Sequence, residues 1–412
     1  MRRKKKAFAV MIPALVLVAT AVETAPAGAA APRPGERAGL AADPSEPPGE
    51  GGTDPGGGGS GDPGGVPRVP GDGSADPGGA GQDPDGGRTG DGQDGNGRWN
   101  GGRSRDPQNF AGPGQGGGGQ GLSRALFADI RKAPALPRAA NGQRGSAGTF
   151  TSKCGRNEGQ KHSNPDNVIV APGVQNGAHH THDYVGNKST DGFSTDESLA
   201  ASGTTCTNGD KSTYYWPVMR LRAGRDNSAA ARQSTADGNI GSVVTPSSVQ
   251  LQFNGNARSK VTAMPPFMRV LMGDAKAGTN GTANAKALWS CTGFLNRGFT
   301  DRYPLCPQGS QVARVLEFPS CWDGRNSDSA NHRDHVLFAD ERTGACPPGR
   351  RPVPQLQMTL TYNVPARAQA FALDSFPEQL HDPVTDHADF INVMSRNLMQ
   401  QAVGCINSGR RC

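Results

Sequence analysis

What the sequence lacks narrows its function first. After the first 22 residues no apolar stretch is long enough to cross a bilayer, which takes about 20 residues. No Cys-x-x-Cys pair occurs, which argues against a structural zinc knuckle or a thiol redox motif. Neither a Gly-x-Ser-x-Gly elbow nor His-Glu-x-x-His is present, so neither of those hydrolase classes is supported. Positive charge is also scarcer than it looks. The formal net charge is +6, but residues 1–29 hold five Lys/Arg and one Glu, a net of +4. The remainder carries about +2, too little to imply a nucleic-acid partner.

What is present falls into zones. Residues 2–6 read RRKKK, an apolar run follows from Ala7 to Val22, and Ala27-Gly28-Ala29 is a small-x-small pattern. That order reads as a secretory signal peptide over 1–29, with an uncleaved anchor as the alternative. Once the signal is cleaved, no stable membrane span is expected, and the protein should be secreted, extracellular or wall-associated. Residues 30–120 are rich in Gly, Pro and Asp, with Asp-Pro-Gly at 54–56, 62–64 and 76–78. Such a segment has almost nothing apolar to bury and is expected to be a disordered spacer. A neutral low-complexity tail is the other reading. Residues 121–147 form a linker in which LSRALFADIRKAPALP (122–137) could make a short helix, stopped by Pro134. Residues 148–412 hold all eight cysteines and all eight histidines and suffice for one substantial domain.

An even cysteine count in an exported chain favours four disulfides. The simplest pattern joins neighbours: Cys154–Cys206, Cys291–Cys306, Cys321–Cys346 and Cys405–Cys412. Short β-branched or aromatic runs bounded by turn residues recur at 166–170, 212–221, 248–253, 267–273, 312–318, 335–338 and 354–364. In PQLQMTLTYNV, Leu356, Met358, Leu360 and Tyr362 alternate with polar residues, as in a strand with one wet face. Only the C-terminus reads as helical, from Asp386 onward, with Phe390, Ile391, Met394, Leu398 and Ala402 near a 3.6-residue period. The expected fold is mainly β: an antiparallel sandwich or jelly-roll-like core with long disulfide-braced loops and one C-terminal helix.

Polar residues concentrate in three stretches. In AHHTHDYVGN (178–187), an extended backbone puts His180 and His182 on one face and turns Asp183 away. The pair could ligate a metal or bracket a substrate; an ordinary polar loop is the alternative. In SCWDGRNSDSANHRDH (320–335), His332 and His335 would align on one helical turn. Trp322 there could stack on a sugar ring or simply be core. In LHDPVTDHADF (380–390), the acidic groups near His387 could equally be helix-start residues.

Across about 148–408 these stretches resemble the family called domain of unknown function nineteen ninety-six, found in secreted actinobacterial and fungal proteins. APGVQNGAHHTHDYVGN, TCTNGDKSTYYWPV, PPFMRVLMGD, LEFPSCWDGRNSDSANHRDHVLF and DHADFINVM occur in the family's order. His180, His182, Asp183, Gly186 and Asn187 fall on one family motif, and Trp216 and Pro217 on a second. Cys321, Trp322, Asp323, Gly324, Asp328, His332 and His335 fall on a third. His387, Asp389, Phe390, Ile391 and Asn392 fall on a fourth. His179 stands where the family usually has Ser, and Ala388 where it usually has Gly. Fungal relatives often carry modules thought to bind cell-wall polysaccharide, so the resemblance implies a polysaccharide partner.

Two functional expectations follow. One is an enzyme acting on polysaccharide, with Asp323 or Asp389 as acid/base and His180, His182, His332, His335 and His387 as proton carriers or metal ligands. Asp183 belongs to the same candidate set, and Trp322, Trp216 and Asn187 are the candidate substrate contacts. This expectation requires His180, His182, His332 and His387 to lie within a few ångströms. The other is a non-catalytic cell-surface or glycan-binding domain whose polar residues pin loops. The sequence names neither a cofactor nor a metal.

Overall fold

Among the described residues the chain forms eighteen short strands, some with alternating burial and some buried on both faces. In the computed structural model these are β1 Phe127–Asp129, β2 Thr149–Ser152, β3 Ser163–Asn164, β4 His182–Gly186, β5 Thr213–Pro217 and β6 Met219–Leu221. They continue with β7 Ser242–Val244, β8 Ser248–Asn254, β9 Arg269–Gly273, β10 Leu288–Cys291, β11 Tyr303–Leu305 and β12 Val312–Glu317. The last six are β13 Cys321–Trp322, β14 Val336–Leu337, β15 Arg351–Pro352, β16 Gln355–Tyr362, β17 Phe371–Leu373 and β18 His387–Ile391. The structure describes residues 122–224 and 226–412. The expected signal peptide over 1–29 and the expected spacer over 30–120 lie outside the described residues.

Two five-stranded sheets dominate, ordered β10-β12-β16-β8-β2 and β3-β4-β5-β18-β9. The first has the wet face its alternation predicts. Leu356, Met358, Leu360 and Tyr362 are buried, while Gln250, Gln252, Asn254 and Gln357 link their side-chain amides along the other face. The second sheet presents Val185, Tyr214, Trp216, Val270, Met272, Ala388 and Phe390 to the same core. Tyr214 stacks on Phe390, and both meet Phe253 of the first sheet. The expected sandwich is therefore present, and its core is aromatic where the sheets touch.

All four disulfides join sequence neighbours, as expected: Cys154–Cys206, Cys291–Cys306, Cys321–Cys346 and Cys405–Cys412. Each closes a loop, which restricts the unfolded chain. Among the described residues no helix is long and apolar enough to cross a membrane.

Three local expectations are corrected. Residues 122–137 form no single helix: the side chains of Ser123 and Asp129 each accept the amide two residues on. This breaks the stretch into two 3-10 turns around β1, and Phe127 and Ile130 are buried in the core. Residues 166–170 are not a strand either. The Asn167 side chain accepts the amides of Ile169 and Val170, forcing a turn. The C-terminal helix starts at Arg396, capped by Ser395, not at Asp386. Residues 387–391 are instead a central strand, buried on both faces and paired with β5 and β9. A both-face-buried strand loses its polar alternation and imitates a helical period.

Candidate metal centre

The second sheet positions the site through its register. His182, the first residue of β4, pairs with Pro217 at the end of β5. On β18, Asp389 pairs with Tyr215, so the same register sets His387 beside Pro217. Proline has no amide to continue the ladder, and the β5–β18 pairing ends there. On its other side His387 pairs with Gly273. Gly273 has φ +83°, and a Cβ there would run into the Asp386 carbonyl and the His387 backbone. Only glycine lets β9 approach His387 this closely. His180 enters from the segment just before β4.

The three imidazoles meet tip to tip. Nε2 of His180 lies 3.1 Å from Nε2 of His182 and 3.1 Å from Nε2 of His387, and the third edge is 3.3 Å. All three residues are buried, at 1%, 0% and 5% exposure. A neutral imidazole has one N–H. His182 donates from Nδ1 to the Asp166 carbonyl and His387 from Nδ1 to the Thr385 carbonyl, both at 2.9 Å. Their Nε2 atoms therefore carry lone pairs, aimed at each other. The Nδ1 of His180 is buried without a partner. Burial, reinforced by the neighbouring imidazoles, holds His180 well below the usual histidine pKa. Burial likewise depresses His182 strongly and His387 in the same direction. With the His180 proton on its unpartnered Nδ1, all three tips offer lone pairs to one point, a donor set made for a cation.

The geometry fits a metal. With metal–nitrogen bonds of about 2.0–2.1 Å, nitrogens stand about 3.3 Å apart in tetrahedral coordination and about 2.9 Å apart at adjacent octahedral positions. The observed edges of 3.1–3.3 Å fall between those limits. Carbonyl partners on the far ring nitrogens are the usual way of fixing ligand tautomer and orientation. Three such ligands would supply part of the coordination shell of an ion, which would act there as a Lewis acid.

The surroundings are ordered as firmly as the ligands. The Asp166 carboxylate accepts the amides of Asn176 and Gly192, locking the loop that holds His182. Its carbonyl takes Tyr184 Oη as well as His182. Tyr184 and Tyr215 stack, and Tyr215 stands edge-on to His182. Phe376 packs its edge on His180, with Lys276 Nζ 4.3 Å over its outer face. Asp389 shares the face of His387, two residues along, and accepts Asn167 Nδ2 at 3.1 Å. Burial raises its pKa to about 7, against the pull of Arg333 and Asn167.

The other expected residues are placed elsewhere. Asp183 does turn away from His182. It is buried on the inner face, accepts Asn157 and Ser163, and is raised by burial to about 6. His332 and His335 do not join the triad, contrary to the expected four-histidine cluster. Their loop runs along the edge strand β9, where His335 uses Nδ1 for Ser329 and Nε2 for the Arg269 carbonyl. His332 binds Asp328, and the segment is a turn rather than a helix. Asp323 accepts the amides of Arg325 and Asn326 and the Asn326 side chain. Although burial pulls its pKa up, these donors hold it below the usual value. Such a turn carboxylate is a poor proton donor. Trp216 is wholly buried between the sheets and offers no surface to a ligand. Asn187 is also buried, its side chain donating to the Leu199 and Lys211 carbonyls and accepting from Ser189. Trp322 is half-buried and donates to the Asn326 carbonyl. Exposed His179 binds Asp237 outside the triad. Sequence reasoning missed Asp166, Asn167, Thr385 and Phe376. Backbone carbonyls and a capping ring leave no motif to find.

The model of the family described as domain of unknown function (DUF1996) matches residues 167–393, more than half of the chain. The chain belongs to this family. The matched span contains His180, His182 and His387 together with β4, β5, β9 and β18. No curated protein and no solved structure matches the chain.

Proposed function

We propose that this DUF1996 protein is a secreted metalloprotein. In this reading it binds one divalent first-row transition ion through Nε2 of His180, His182 and His387 and acts with it on extracellular polysaccharide. The carrying observation is the convergence of three buried, neutral imidazole tips 3.1–3.3 Å apart. The all-imidazole donor set suits zinc, copper, iron or nickel better than calcium or magnesium. A bound ion would polarise an oxygen of the substrate or acidify a bound water. Asp389, two residues from His387 on the same face of β18, is the carboxyl assigned to proton exchange in this reading, in preference to Asp323. Four disulfides accord with an oxidising compartment.

The test is elemental analysis of the protein purified without added metal, followed by incubation of metal-loaded and chelated protein with a panel of wall polysaccharides. About one ion per chain, lost in His182→Ala and His387→Ala, and turnover only with the loaded protein are expected. Turnover that persists after complete chelation would refute the metal-dependent reading.

A second reading, glycan binding without turnover, is favoured by one observation. The half-buried Trp322 is held between the Cys321–Cys346 bridge and the Asn326 carbonyl, a rigid mount for an aromatic face. It predicts binding that survives His182→Ala and is lost in Trp322→Ala.

A further inference from the structure

Away from the triad, beside β6 and the start of β17, an open groove of about 290 Å³ is flanked by Arg124, Arg222 and Arg367. Gln369 and three alanines complete its lining, and no carboxylate or aromatic side chain lines it. Among the described residues these three arginines have no Asp or Glu within ion-pair distance. Many other surface arginines share that property; what sets these three apart is that they line one groove together.

Two of the three heads are nevertheless held in place by neutral acceptors. Arg124 Nε donates to Gln369 Oε1 at 3.2 Å, and Gln369 in turn donates to the Leu122 carbonyl. Arg222 Nη1 donates to Nε2 of His381 at 3.2 Å, and His381 Nδ1 donates to the Leu373 carbonyl at 2.9 Å. Each such contact uses one of five guanidinium N–H groups and leaves the rest free. An oriented fork with free donors over a small-residue floor is the arrangement that grips a carboxylate or phosphate.

We propose that this groove is a second binding site that takes the anionic groups of an acidic polysaccharide, with Arg124, Arg222 and Arg367 as its contacts. The absence of any aromatic side chain in the lining argues against single-stranded nucleic acid, whose binders add base stacking on rings to a basic groove. The site is independent of the triad and of any metal there.

The experiment measures binding of the full chain, with and without chelator, to polygalacturonate, inorganic polyphosphate, neutral dextran and single-stranded DNA at about 50 and 200 mM salt. The expected result is binding of polygalacturonate, weakened several-fold by the higher salt and unchanged by chelation, with no binding of dextran. Polyphosphate separates a general anion grip, if it binds equally, from a carboxylate preference, if it binds less; both outcomes support the site. The triple variant R124Q/R222Q/R367Q should lose about tenfold or more in affinity. Arg367→Glu alone, at an exposed side chain with no hydrogen bond to lose, should lose severalfold while keeping the melting temperature. The proposal is overturned if no polyanion binds at 50 mM salt, if Arg367→Glu and the triple variant bind as the parent does, or if DNA binds more tightly than polygalacturonate.

Discussion

The molecule buries two kinds of polar cluster, and they differ in one respect. Between the sheets, Arg314 is matched by Asp386, the Pro217 carbonyl and Tyr362 Oη. In the separate sheet of β6, β7 and β17, Arg220 is matched by Asp374, Ser234 and the Ala231 carbonyl. Every charge there has a partner, so the clusters explain themselves as structure. On the outer face of the second sheet, His180, His182 and His387 are as deeply buried, but their tips face only each other. A satisfied cluster needs no ligand. An unsatisfied one, held open by a fixed backbone, implies one.

The sharpest way to break this contrast is to remove one partner of each kind. Arg314→Leu strands Asp386 as a lone buried charge and should cost about 3–5 kcal/mol in denaturant unfolding, with or without metal. His182→Ala in the metal-free protein should cost far less, about 1–2 kcal/mol for one lost hydrogen bond and the space left, because the Asp166 carbonyl keeps Tyr184 Oη. If the two variants were equally destabilising without metal, the triad would be structural too.

Metal should stabilise one side of the comparison only. At about 100 times the dissociation constant, a fitting ion adds roughly 2.7 kcal/mol to the wild type. It should add nothing to His182→Ala or His387→Ala, and it should add the same to Arg220→Lys as to the wild type. Calorimetric melting with and without the ion reads this directly.

A pH series separates the buried acid from the buried bases. Asp389, raised to about 7 by burial, keeps its proton in the fold while the unfolded chain has lost it. Its contribution is therefore full below about pH 4 and lost as pH rises to about 7. The three histidines are depressed in the fold, so their contribution is full above about pH 6.5 and lost as pH falls. In chelated protein, Asp389→Asn should gain on the wild type between pH 4 and 7.5, by on the order of 3 kcal/mol in urea unfolding. No gain would mean that Asp389 ionises freely and is not the protonated group assigned here.

Much of this could be read from residue order, and what could not has a physical reason. The alternation of Leu356, Met358, Leu360 and Tyr362 marked a half-wet strand because one face of that sheet is polar. Residue order does not determine which cysteines pair; the simplest pattern, neighbour to neighbour, is the one all four bridges follow. His180 and His182 were legible as a pair, and His387 as part of a polar cluster. His387 meeting them depended on β18 lying next to β5, a pairing no local pattern encodes. That strand is buried on both faces, so its residues resembled the first turn of a helix. His332 and His335 looked equivalent to the others because side-chain identity does not reveal partners. His335 is spent on Ser329 and the Arg269 carbonyl.

The measurement closest to the central claim is the metal content of the protein, purified without chelator or added metal, beside His180→Ala, His182→Ala and His387→Ala. About one transition-metal ion per wild-type chain and nearly none in each variant are expected. A wild type that carries no ion and takes up none from zinc, copper, iron, nickel or manganese solutions would contradict the account.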